Sequence, residues 1–213
     1  MKNLVLLALI VAAGTACSSA YYGTLEKFGI EKRDILVERV DEASDAQDDA
    51  KEQFADALEQ FRSVVAVDGG ELEETYDRLK KDFEASEARA ATVSERIDAV
   101  EAVAEDLFDE WEDELDLYND ARLRRNSARQ LDETRQRYTR LQRAMRQAES
   151  RMAPVLDVFR DQVLYLKHNL NARAIASLRT ELTGIEGDVE RLIQAMDQSI
   201  AEARSFISSM EPD

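Results

Sequence analysis

The sequence predicts an all-α protein of long antiparallel coiled-coil helices, an elongated three-helix bundle that becomes a four-helix bundle if one further corner is present. Three observations predict this. The 213 residues include only two prolines and seven glycines, so little interrupts a helix. Charged residues make up 34% of the chain, with Ala, Glu, Leu and Arg prominent, the composition of long helices and coiled coils. Apolar residues recur in alternating steps of four and three over most of the length, the signature of a heptad seam.

The first segment stands apart from that pattern. Lys2 precedes an apolar run from Leu4 to Ala13 that is too short to span a bilayer comfortably, and Gly14-Thr15-Ala16 are small residues a peptidase accepts. Cys17, the sole cysteine, follows directly. The arrangement resembles a bacterial lipoprotein signal, with Gly14 where leucine is commonest. It implies removal of residues 1–16, lipidation of Cys17 and a short tether over 17–24. The plainer alternative is an ordinary secretory signal cleaved near Ala16 or Ala20. With one cysteine, no intramolecular disulfide exists.

Residues 25–213 read as a single elongated helical domain. The first seam runs Leu36, Val40, Ala43, Gln47, Ala50, Phe54, Ala57, Phe61, Val64, with only Gln47 polar. Gly69-Gly70 then supplies the permissive backbone of a helix end, and Glu71 places an acid in the next first turn. A hairpin corner is expected there. The second seam runs Leu72, Tyr76, Leu79, Phe83, Ser86, Ala90, Val93, Ile97, Val100, Ala104, Leu107, Trp111.

Beyond Trp111 the register falters at Glu114, Tyr118 and Ala121, and resumes out of phase as Leu131, Tyr138, Leu141, Met145, Ala148 and Met152. Tyr118-Asn119-Asp120 could end one helix and cap the next. Because no glycine or proline lies between Glu71 and Ala153, the preferred expectation is one continuous or gently kinked helix, about 120 Å long if straight. Pro154 is expected to mark the next corner, since it lacks a backbone donor. After it come Leu156, Phe159, Val163, Leu166 and Leu170. A last seam follows a slip near Asn171: Leu178, Leu182, Ile185, Val189, Leu192, Met196, Ser199, Ala203, Phe206, Met210. Gly184 and Gly187 fall inside it, where a close helix crossing would account for them.

The net charge of −17 opposes nucleic-acid binding and adhesion to anionic lipid, both of which need a basic footprint. Nor is an enzyme expected. His168 is the only histidine, so a di-iron centre with two Glu-x-x-His motifs is unavailable; there is no Cys/His pair, no Gly-x-Ser-x-Gly elbow and no phosphate-cradling glycine loop. No cofactor, metal or small-molecule substrate is called for.

Glu101 to Asp116 contains nine acids and no base, whereas Arg122 to Arg151 is rich in arginine. Opposed charge blocks can set antiparallel register within the fold. The functional alternative is a loose Ca²⁺ or Mg²⁺ site, or a site for a basic partner, from carboxylates such as Asp106, Asp109, Glu110 and Asp113. Trp111 reads as a core residue on its seam, and otherwise as an exposed binding indole. The stretch from Lys167 to Ala174 is polar for a helix flanked by seams, and reads as a buried polar layer or a contact surface. Candidate partner-binding residues are therefore Asp109, Glu110, Trp111, Asp113, Lys167, His168, Asn169 and Arg173.

Three segments, Tyr22 to Asp34, Phe108 to Leu115 and Leu166 to Ala174, together resemble an uncharacterised family of predicted coiled-coil lipoproteins of unknown function from Gram-negative bacteria. The resemblance implies an envelope location and helices, with no functional residues to carry over. In that setting Ser18 after the lipidated cysteine resembles the sorting context for the outer membrane, facing the periplasm. The function expected is a non-enzymatic scaffold, spacer or adaptor, held to a membrane by lipid and engaging another envelope protein or itself. The alternatives are a membrane-remodelling helical protein using Arg122 to Arg151, and a periplasmic chaperone or divalent-cation-binding module centred on Glu101 to Asp116.

Overall fold

The computed structural model describes residues 31–66, 72–169 and 172–210, with backbone alone for 172–174. The signal segment, Cys17, its tether and the Gly69-Gly70 corner lie outside the described residues. Four long helices carry the fold: α1 (Lys32–Ala66), α2 (Leu72–Glu114), α3 (Ala121–His168) and α4 (Ala172–Met210), with a single 3-10 turn at Leu115–Leu117 closing α2. Among the described residues there is no strand. The bundle is thus all-α, as expected, and has four helices.

The heptad seams explain why these residues assemble. Every position of the first seam from Leu36 to Val64 is buried, as is every position of the second from Leu79 to Leu107. So are Leu131 to Leu166 of the α3 seam, and Leu178 to Met210 of the α4 seam except the half-buried Leu182. The helices form a closed ring in which α1 packs on α2 and α4, and α3 packs on the same two. Interhelix pairs define antiparallel neighbours. Lys32, Arg96 and Arg89 tie the start and middle of α1 to α2, whereas Arg62 Nε meets Glu186 Oε1 of α4 at 2.8 Å and Arg179 donates to the Val65 carbonyl at 3.0 Å. Phe61 and Phe159 stack across the core between α1 and α3, with ring centroids 6.2 Å apart.

Two expectations about corners are corrected. The chain does turn at Tyr118-Asn119-Asp120, so residues 72–153 are not one helix. Asp120 acts as the N-cap of α3: its side chain accepts from the Arg122 and Leu123 backbone N–H groups at 2.7 and 3.3 Å, while Tyr118 and Asp120 are extended. An aspartate cap ends and restarts a helix without glycine or proline, because its carboxylate satisfies donors that a continuous helix would have bonded to its own backbone. Conversely, Pro154 does not turn the chain; it lies inside α3, exposed to solvent. Met152, Val155, Leu156 and Phe159 around it are all buried, so packing outweighs its cost of about 3 kcal/mol. The turn instead follows His168, where the Asn169 N–H donates to the Leu166 carbonyl at 3.0 Å and its side-chain amide to the Tyr165 carbonyl at 3.0 Å.

The glycines of α4 do not mark a close crossing either. A Cβ at Gly184 would meet nothing within 4 Å, and one at Gly187 would meet only the Arg191 guanidinium at 3.3 Å.

Candidate functional site

Ring topology places the N-terminus of α1, the α2–α3 corner and the C-terminus of α4 at one end, here the near end. The far end holds the α1–α2 and α3–α4 connections. Since α3 has 48 residues, the ends are about 70 Å apart.

The acidic stretch of α2 faces the arginines of α3. Arg146 contacts Asp98 at 2.6 Å and also Glu101; Arg135 meets Glu112 at 2.8 Å; Arg124 meets Asp116 at 2.5 Å; farther along, Arg160 meets Glu87 at 2.8 Å. Hydrogen bonding to Arg146 holds the Glu101 carboxyl below the ordinary glutamate value, against an opposing push from burial and with help from Gln142. The same contact raises the Arg146 guanidinium. Burial pushes the Tyr138 hydroxyl up as its ring packs between Phe108 and Phe206. The opposed charge blocks are therefore joined within the fold. Among the described residues no group of three or more His, Cys, Asp or Glu side chains is placed to hold a metal ion.

The eight candidate contact residues separate into two sets at opposite ends. At the near end Trp111 is half-buried against the core, and its indole N–H donates to Ser127 Oγ at 2.8 Å. Trp111 and Glu110 line a cavity of about 460 Å³ beside Lys32 and Leu107. The Lys32 ammonium meets Glu110 at 3.1 Å. Asp109 and Asp113 are exposed on the outer face of α2. At the far end Lys167 and His168 are exposed in the last turn of α3, and half-buried Asn169 terminates that helix. The Arg173 side chain lies outside the described residues.

Sequence reasoning missed the exposed apolar residues. Leu117, Tyr118 and Leu123 at the α2–α3 corner are 76%, 42% and 48% exposed, and Leu164 and Tyr165 are exposed near the far end. The signal was present: Leu117, Leu123, Leu164 and Tyr165 all fall off their heptad seams, so no core position claims them. Among the described residues, no helix is long and apolar enough to cross a membrane.

Fold and end surfaces define an antiparallel four-helix bundle in which interhelix ion pairs occupy much of the polar face. Residues 21–210 match the model of a family described as "Protein of unknown function (DUF2959)", and the chain belongs to that family. It is uncharacterised, as the resemblance had implied. No curated protein and no solved structure matches the chain.

Proposed function

We propose that this chain is a non-enzymatic envelope lipoprotein of Gram-negative bacteria, lipidated on Cys17, attached to the outer membrane and facing the periplasm. Its bundle acts as a spacer or adaptor that holds another envelope component, or a second copy, at a set distance from the membrane. The observation that carries this reading is the separation of contact-competent residues onto two ends of one continuous core, about 70 Å apart. The near end follows the tether to Cys17, and the far end presents Leu164, Tyr165, Lys167 and His168 outward. An apolar pair flanked by charged side chains is the composition of an interface core with a polar rim.

Lipid on Cys17 would attach the near end firmly, because burial of acyl methylenes contributes about 0.8 kcal/mol each and several chains act together. Two experiments test the reading. Replacing Cys17 with alanine should move the protein out of the membrane fraction; wild-type protein that is membrane-bound yet carries no lipid would refute the anchor. Photo-crosslinking in cells from positions 168 and 111 should capture one defined envelope protein, or the chain itself, mainly from position 168. Equal, scattered capture from both positions would refute the adaptor.

A further inference from the structure

Among the described residues, the α2–α3 corner extends past the start of α1 and the end of α4. Lys32, the first residue of α1, pairs with Glu110, whereas α2 and its 3-10 turn continue seven residues farther to Leu117. That is an overhang of about 10 Å. The 3-10 turn packs against α2 and α3, and every residue from Asp116 to Asn126 is exposed. In a bundle whose cores are otherwise sealed, this corner holds three of the five large exposed apolar side chains among the described residues.

From Asp116 to Asn126 two acids, Asp116 and Asp120, stand against Arg122, Arg124 and Arg125, and the exposed Glu114 borders Leu117 and Tyr118 on the α2 side. Asp116 pairs with Arg124 and Asp120 caps α3, while among the described residues no acid lies within ion-pairing distance of Arg122 or Arg125. Leucines beside a tyrosine and long arginine stems suit the bilayer interface. The apolar groups enter the boundary of the acyl region, the tyrosine sits among the headgroups, and the guanidiniums reach outward to phosphate.

Chain length fits the same occupant. Residues 17–31 would span at most about 50 Å if fully extended, and α1, which follows them, begins at the near end. The corner can therefore meet the surface that holds Cys17 with the tether slack. We propose that the α2–α3 corner is a membrane-contact tip, in which Leu117, Tyr118 and Leu123 insert into the interface of a phospholipid bilayer. This sets the rod at two points on the membrane, so that it stands upright instead of swinging on its tether. It rests on the anchoring reading for the choice of bilayer only.

The test introduces an indole by Leu117→Trp in the full mature lipidated protein, bound to phosphatidylcholine vesicles with and without brominated acyl chains. Trp111, the one native tryptophan, is half-buried and gives the wild-type background. Brominated lipid is expected to quench the emission added at position 117 at least threefold, with little change in wild type. The same measurement on unlipidated protein, held by an N-terminal hexahistidine on nickel-chelating vesicles, separates the tip from the anchor. Quenching there supports the tip independently of the anchor, whose own failure is read separately as wild-type protein from cells that carries no lipid on Cys17. Emission at 117 that stays open to acrylamide and insensitive to bromine on both vesicle types overturns the tip. So does shielding of the indole in vesicle-free solution that grows with protein concentration, which assigns the corner to a second copy.

Discussion

Arg146 concentrates the ion pairing between α2 and α3, since its guanidinium reaches Asp98 and Glu101 across the interface and Glu149 on its own helix. The partners are about a third exposed or less except Asp98, so solvent screening reduces what the network contributes. Replacing Glu101 with glutamine should lower unfolding stability by about 1 kcal/mol at pH 7, below the range for a fully buried charged hydrogen bond. The folded-state pKa of Glu101 lies below its unfolded value, so its contribution is fully present above the ordinary glutamate range and is lost as pH falls through the folded value. Urea melts of wild type and Glu101→Gln should therefore converge as pH is lowered from 7 toward 3. A gap that stays constant would show that Glu101 acts through packing alone. Asp82 works in the opposite sense: burial and then Asp56 raise its carboxyl, so lowering the pH relieves a cost there.

At the scale of helices, apolar spacing was legible, as was the break between Ala66 and Leu72, whereas the two later corners were not placed correctly. Seams could be read because burial at a heptad position requires only an apolar residue of suitable size, and even the polar exceptions Gln47, Ser86 and Ser199 are buried where the spacing puts them. Corners depend on a contest between local chemistry and packing. A single aspartate turns the chain at 118–120, where glycine and proline are absent, while a proline is carried through α3 because its ring faces water and the residues on either side are in the core. The end surfaces were half legible. Trp111, Lys167 and His168 could be singled out by type, but Leu117 and Leu123 acquire meaning only once the corner places them beyond the bundle. Pro154→Ala restores a backbone donor toward the Ser150 carbonyl and removes a helix-interior proline without opening a cavity, so stability should rise by up to about 3 kcal/mol. Calorimetry showing no gain would mean that α3 uses a bend at this point to follow its neighbours.

Across the whole molecule, stability should fall off toward the near-end corner. In the middle of the bundle each helix is flanked by two others, and Leu141, Met145, Ala148, Val93 and Ile97 are sealed in a shared core. Around the corner, among the described residues, α2 and α3 are joined by Arg124–Asp116, Arg135–Glu112 and the Trp111–Ser127 hydrogen bond, with the start of α1 reaching α2 at Glu110. Exposed ion pairs contribute little, about 0–1 kcal/mol, and a lone helix pair lacks the burial that supports the middle. Amides from about 116 to 130 should then exchange through local opening, while those from about 138 to 152 should exchange only as the bundle opens more widely. In hydrogen-exchange mass spectrometry of the protein in solution, the first group is expected to exchange at least about 100-fold faster than the second. Uniform protection along α3 would contradict this gradient. It would mean that the corner is covered in solution, and the exposed leucines at 117 and 123 would then be buried by a second copy of the chain before any membrane could meet them.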